Sequence, residues 1–122
     1  MKVFILGESS FLSRGFYLRL KKIHQEIYLV NHSDISCLVK MSDDDVLINF
    51  CGVNRSKRYE DYNDANYVFL TKVLATIKAE PYFIHVSSYM VNGFIGKKRE
   101  DLSSYQQLFI SSKLEGEKFL KE

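Results

Sequence analysis

The sequence predicts an α/β fold built on a short parallel sheet. Four short apolar runs, each closed by glycine, proline or polar residues, read as strands, and segments with helical apolar spacing lie between them. Such alternation implies crossover connections and a sheet covered on both faces. At 122 residues the chain is long enough for one real core, so residues 1–122 are expected to form a single domain.

The first run, Met1 to Leu6, ends at Gly7 and suits a buried parallel strand. From Phe11 to His24 the apolar positions Leu12, Phe16, Leu20 and Ile23 recur at helical spacing, with Arg14, Arg19, Lys21 and Lys22 between them. Glu26 to Val30 reads as a second strand, Asn31 to Asp34 as the loop beyond it, and Ile35 to Lys40 as a short helix. Val46 to Phe50 makes a third strand closed by Cys51-Gly52, and the polar stretch Asn54 to Asp61 is expected to be a surface loop. Tyr67, Leu70, Val73, Leu74 and Ile77 then mark a long helix stopped by Pro81, followed by a strand from Tyr82 to Val86. A final helix runs from about Ser104 to Lys121, with Leu108, Ser112, Leu114 and Phe119 inward and Glu115, Glu117 and Lys118 in water. Four strands in the spatial order 2-1-3-4, helices above and below, make a three-layer, Rossmann-like domain with its ligand crevice at the carboxyl ends of strands one and three.

Charge argues against several partner classes. Seventeen basic side chains face fifteen acidic ones, and the longest single-sign runs are Asp43-Asp44-Asp45 and Lys97-Lys98-Arg99. Nothing in this pattern demands nucleic acid or a membrane. No apolar stretch approaches the ~20 residues of a membrane span, and the amino terminus does not read as a signal peptide, so a cytoplasmic location is expected. Cys37 and Cys51 lack metal-ligand or redox spacing and read as reduced thiols. No metal site is expected.

Residues able to carry chemistry gather at strand ends. Gly7-Glu8-Ser9-Ser10-Phe11-Leu12-Ser13 follows a strand and opens a helix, the setting in which backbone N–H groups cradle a pyrophosphate. Without a ligand it is an ordinary strand-to-helix turn capped by serine. Asn31-His32 follows the second strand, where a ribose would lie; a solvated loop is the plainer reading. Asn49-Phe50-Cys51-Gly52-Val53-Asn54-Arg55 closes the third strand. Asn66 sits ahead of the long helix, where capping is its structural alternative. Ser87-Ser88 ends the fourth strand, and Phe109-Ile110-Ser111-Ser112-Lys113-Leu114-Glu115 lies in the last helix.

Taken in order, these segments resemble the extended short-chain dehydrogenases/reductases that act as epimerases, dehydratases or reductases of nucleotide sugars. The first turn is similar to Gly-x-x-Gly-Phe-(Ile/Leu/Val)-Gly: Gly7, Phe11 and Leu12 match, while Ser10 and Ser13 replace glycines. The resemblance implies NADP or NAD as cofactor, held by Gly7, Ser10, Phe11, Leu12, Asn31, His32, Cys51, Gly52, Val53, Asn54, Arg55, Asn66 and Lys113. Neutral Asn31 would accept a ribose hydroxyl, and His32 or Arg55 would tolerate a 2'-phosphate. Ser88 falls on the residue that bonds the reacting oxygen. Lys113 falls on the lysine that binds the nicotinamide ribose and lowers the pKa of a tyrosine four residues earlier. That tyrosine is Phe109 here, and a benzene ring exchanges no proton. Tyr105, one turn too far along the helix, and Tyr89, on the opposite side of its strand from Ser88, are poor substitutes.

Gly52-Val53-Asn54-Arg55 resembles the capsular-polysaccharide reductases that act on UDP-linked 4-keto sugars. The chain stops after the helix carrying Lys113, and the family's later strands and sugar-nucleotide-binding region are not in it. Three readings follow. The chain is a truncated or degenerate reductase/epimerase homologue of surface-polysaccharide biosynthesis, inactive alone. Alternatively it is a module that binds NADP(H) or docks on a second copy or a full-length reductase. In the third it is an oxidoreductase subunit whose UDP-sugar site is completed in trans.

Overall fold

A computed structural model describes residues 1–8, 11–51, 58–86 and 104–121. The elements in order are β1 (Val3–Leu6), α1 (Phe11–Leu20), β2 (Ile27–Val30), a 3₁₀ turn (Ser36–Lys40), β3 (Val46–Asn49), α2 (Tyr59–Asn63), a π-helical segment (Asp64–Val68), α3 (Phe69–Thr76), β4 (Tyr82–His85) and α4 (Ser104–Lys121). All four strands pair in parallel in the order β2-β1-β3-β4, as expected, with Val3 opposite both Ile27 and Val46, and Val46 opposite Tyr82. This is a Rossmann-like α/β fold. The chain packs as two compact units, Met1–Cys51 with Lys72–Val86, and Gly52–Thr71 with Ser87–Glu122.

The first unit holds the sheet. Every residue of β1 is buried, as befits a strand with a neighbour on each side and apolar side chains on both faces. Val3, Ile5, Ile27 and Ile48 form a core against which Tyr17 and Leu20 of α1 pack. At the amino ends of the strands the buried carboxylate of Asp45 accepts the backbone N–H of Lys2 and of Ser42, both at 2.8 Å. Asp43 accepts the Glu80 N–H at 2.8 Å, tying the approach to β4 into the same corner.

The inward face of α1 differs from expectation. The helix ends at Leu20 rather than His24, and Leu12, Phe16 and Ile23 are exposed. Ser13, Tyr17 and Leu20, spaced i, i+4 and i+7, turn inward instead, and Ser13 is wholly buried. Ser13 takes the buried row by bonding the Gly7 carbonyl, and the partly exposed Phe16 rests against Phe50, 5.7 Å between ring centroids.

The described part of the second unit is helical. Residues 59–61, expected in a loop, open α2, and α2 runs without interruption into the π segment and α3. Tyr62, Asn66 and Leu70 are buried within this unit, along with Ser112, Lys113 and Gly116 of α4. Leu114, expected inward, is exposed, and Glu117, expected in water, is half-buried. Gly116 explains the offset. A Cβ there would collide with the Asn66 carbonyl oxygen and lie 3.0 Å from Leu70 Cδ1, so α4 meets the π segment through its smallest residue. Tyr67 and Phe119 add an edge-to-face pair, 5.9 Å between centroids. No helix among the described residues is long and apolar enough to cross a membrane.

Candidate functional site

The sheet order places β1 and β3 side by side with their connections leaving in opposite directions, and a crevice opens outside their carboxyl ends at such a switch point. Gly7 ends β1 there with φ +108°, a conformation that side chains rarely adopt. A Cβ would also lie 3.3 Å from Phe50 Cβ and 3.4 Å from the Cys51 nitrogen. Gly7 and Cys51, two predicted site residues, are thus in direct apposition.

Two side chains from the first turn of α1 hold this turn shut. The Ser13 hydroxyl donates to the Gly7 carbonyl. Arg14 Nε donates to the Glu8 carbonyl at 2.7 Å. A hydroxyl bonded to the Gly7 carbonyl therefore stands where the resembling motif has a glycine. Phe11 and Leu12 project into solvent from the same end of the helix.

Neighbouring strand ends are shaped by amide side chains. Asn49 Oδ1 accepts the Cys51 N–H at 2.9 Å, and its Nδ2 donates to His85 Nδ1 at 3.2 Å. Because the amide oxygen is committed to Cys51, His85 Nδ1 must be the acceptor, which puts the imidazole proton on Nε2. Beyond β2, Asn31 and His32 are exposed, and Asn31 Oδ1 already accepts both Ser33 N–H at 2.9 Å and Ser33 Oγ–H at 2.8 Å. The oxygen expected to receive a ribose hydroxyl is therefore engaged within its own turn. Asp34 does the same for Ser36, and those hydrogen bonds hold its carboxyl below the usual aspartate range. Cys37 and Cys51 are not joined in a disulfide; Cys37 lies at the surface, and the partial desolvation there, reinforced by the Asp34 charge, pushes its thiol up.

In the second unit, Asn66 lies mid-helix in the π segment rather than at a helix start. It donates through Nδ2 to Ser112 Oγ at 2.9 Å. Ser112 immediately precedes the buried Lys113, so this bond fixes the rotation of α4 at the lysine. Phe109 is in α4, one helical turn before Lys113. Ser10, Gly52, Val53, Asn54, Arg55 and Ser88 lie outside the described residues. Sequence reasoning placed Ser112 inward but missed Gly116 as the residue that seats α4. A Ser and a Gly four apart on a helix that also carries a lysine was the available signal, as two small residues on one stripe permit close approach. Among the described residues no cluster of His, Cys, Asp or Glu could hold a metal ion.

The described residues fit a dinucleotide in one respect: at Gly7 the backbone is bare, and a side chain has no room beside Phe50 and Cys51.

No protein-family model and no curated protein matches this chain. Solved structures do. A dTDP-4-dehydrorhamnose reductase from Clostridium acetobutylicum superposes with a TM-score of 0.74 at 20% identity, covering 99% of this chain and 49% of that one. The UDP-glucuronic acid 4-epimerase of Bacillus cereus, in complex with NAD, gives 0.72 at 19% identity over 99% and 51%. The dTDP-4-dehydrorhamnose reductase of Bacillus anthracis, in complex with NADP, gives 0.69 at 19% over 99% and 50%. The chain thus spans about half the length of these proteins and shares their fold.

Proposed function

We propose that this chain is a dinucleotide-binding module of the nucleotide-sugar reductase/epimerase kind, which binds NADP(H) or NAD(H) and does not itself catalyse proton transfer. The observation that carries the reading is Gly7: positive φ, no space for a Cβ, and a position between a buried parallel strand and the start of a helix. Bound there, the cofactor would supply hydride chemistry. The chain's own residues would bind and orient it, Gly7 by leaving the backbone open, and Asn49 and Cys51 by shaping the neighbouring strand end.

Phe109 is the reason for assigning binding rather than turnover. The helix position one turn before Lys113 holds a ring with no proton to give. On this reading the relevant sugar class is a UDP-linked 4-keto sugar of surface-polysaccharide assembly, supported by the resemblance of Gly52-Val53-Asn54-Arg55.

Calorimetric titration of the chain with NADPH, NADP+, NADH and NAD+ tests the proposal. Binding in the micromolar range is expected for at least one of the four, with no oxidation of NADPH when a UDP-4-keto sugar is added. A folded chain that binds none of them would overturn the reading, and steady NADPH oxidation would overturn its second half.

A further inference from the structure

The outer surface of α1 takes no part in the core, and its apolar side chains are largely exposed. Phe11 is 89% exposed, Leu12 64% and Leu18 62%, and Ile23, in the turn that follows, is 83% exposed. Phe11 and Leu18 lie two turns apart on the side opposite Ser13, Tyr17 and Leu20, and the space beside Gly15 between them is empty to 4 Å. Single exposed apolar residues need no explanation, but four large ones on one short helix and its exit do.

The charges on this segment are all of one sign. Between Glu8 and Glu26 there is no acidic residue, and Arg14, Arg19, Lys21 and Lys22 give it +4 within a chain of net +2, so the remainder of the chain is net acidic. Arg14 is drawn back over the Glu8 carbonyl, and Lys21 lies along Tyr17, its Nζ 3.0 Å from the phenol oxygen and 5.2 Å from the ring centroid. Arg19 and Lys22 are exposed beside the apolar side chains.

We propose that this face docks on an anionic phospholipid surface. Large apolar side chains and cations interleaved on one exposed helix fit a layer that is negatively charged outside and apolar a few ångströms beneath. An acidic protein would satisfy the cations but offers no reason for Phe11, Leu18 and Ile23 all to be bare. The contact is peripheral: α1 has ten residues, and its inner side remains packed on the sheet.

Co-sedimentation of the full chain with phosphatidylserine-containing vesicles, and with phosphatidylcholine vesicles, tests this. Partitioning onto the anionic vesicles that weakens with added salt is expected, with little onto phosphatidylcholine alone. Each cation near such a surface contributes roughly fivefold, so Arg19→Gln with Lys22→Gln should weaken partitioning about thirtyfold. Leu18→Ser with Ile23→Ser should weaken it at least about tenfold, these side chains being the apolar part of the contact. Circular dichroism checks that each variant is folded. Absence of binding to anionic vesicles overturns the proposal, as does equal binding by the folded Leu18→Ser/Ile23→Ser variant. A wild-type dimer at micromolar concentration that Leu18→Ser dissolves would assign the face to a second copy and overturn it too.

Discussion

Asp45 shows how one side chain can organise a corner of the sheet. Burial alone would raise its pKa, and this is the largest single influence on it, but the hydrogen bonds from Ser42 and Lys2 together outweigh it and the carboxyl ends below the ordinary aspartate value of 3.8. A carboxylate whose folded pKa is depressed stabilises the fold above its unfolded pKa, and that contribution is lost as pH falls through the folded value. The relevant window therefore lies below about pH 4. Asp45→Asn keeps one acceptor oxygen where two are used, so it should cost about 1–3 kcal/mol at neutral pH. Its stability should also decline less steeply than that of the parent between neutral pH and the acid limb. Urea melts at a series of pH values would read both effects; parallel acid limbs would show that Asp45 does not couple protonation to folding. None of this was legible beforehand, because Asp43-Asp44-Asp45 reads as a solvated acidic run, and only the parallel pairing brings the Lys2 N–H to the third aspartate.

Elements built from apolar runs were legible in existence and order, whereas the faces of helices were not always so. The inward line of α1 was misassigned because periodicity counts apolar residues, and here a serine occupies the buried row by bonding the Gly7 carbonyl. The start of α2 was missed because Tyr59 to Asn63 is polar enough to pass for a loop, and its helicity is fixed by continuity with the segment leading to α3. The extent of α4 matched expectation, yet its buried stripe runs through Ser112 and Gly116. The two helical glycines should therefore respond in opposite directions to alanine. At Gly15 nothing lies within 4 Å, so Gly15→Ala should stabilise by about 0.5–1 kcal/mol through helix propensity alone. At Gly116 the same propensity gain is opposed by a backbone carbonyl that cannot swing aside as a leucine methyl can. Overpacking of about 1–3 kcal/mol should then win, and Gly116→Ala should be destabilised. Denaturant midpoints of the two variants against the parent decide it; a stabilised Gly116→Ala would mean that α4 does not approach the π segment this closely.

For the molecule as a whole, sheet order was readable because each strand is a nearly continuous apolar run and each connection is long enough for a parallel crossover. The candidate site was readable only in part. Gly7 and Cys51, named from their motifs, face each other across the ends of β1 and β3, while Asn31 and Asn66 make hydrogen bonds that a sequence does not display. A ligand that binds the native chain and not the unfolded one adds RT ln(1 + [L]/Kd) to stability, about 2.7 kcal/mol at a hundred times Kd. On the proposed reading, the better of NADPH and NADH should therefore raise the melting temperature in a concentration-dependent way. Gly7→Ala should be less stable without ligand, by about 1–3 kcal/mol from forcing φ +108° on an alanine, and should lose the ligand-dependent increment besides. The two losses are separable because the first is present at zero ligand and the second appears only as a flattened titration. If Gly7→Ala kept the full ligand-induced shift, the dinucleotide would have to bind elsewhere than at the end of β1.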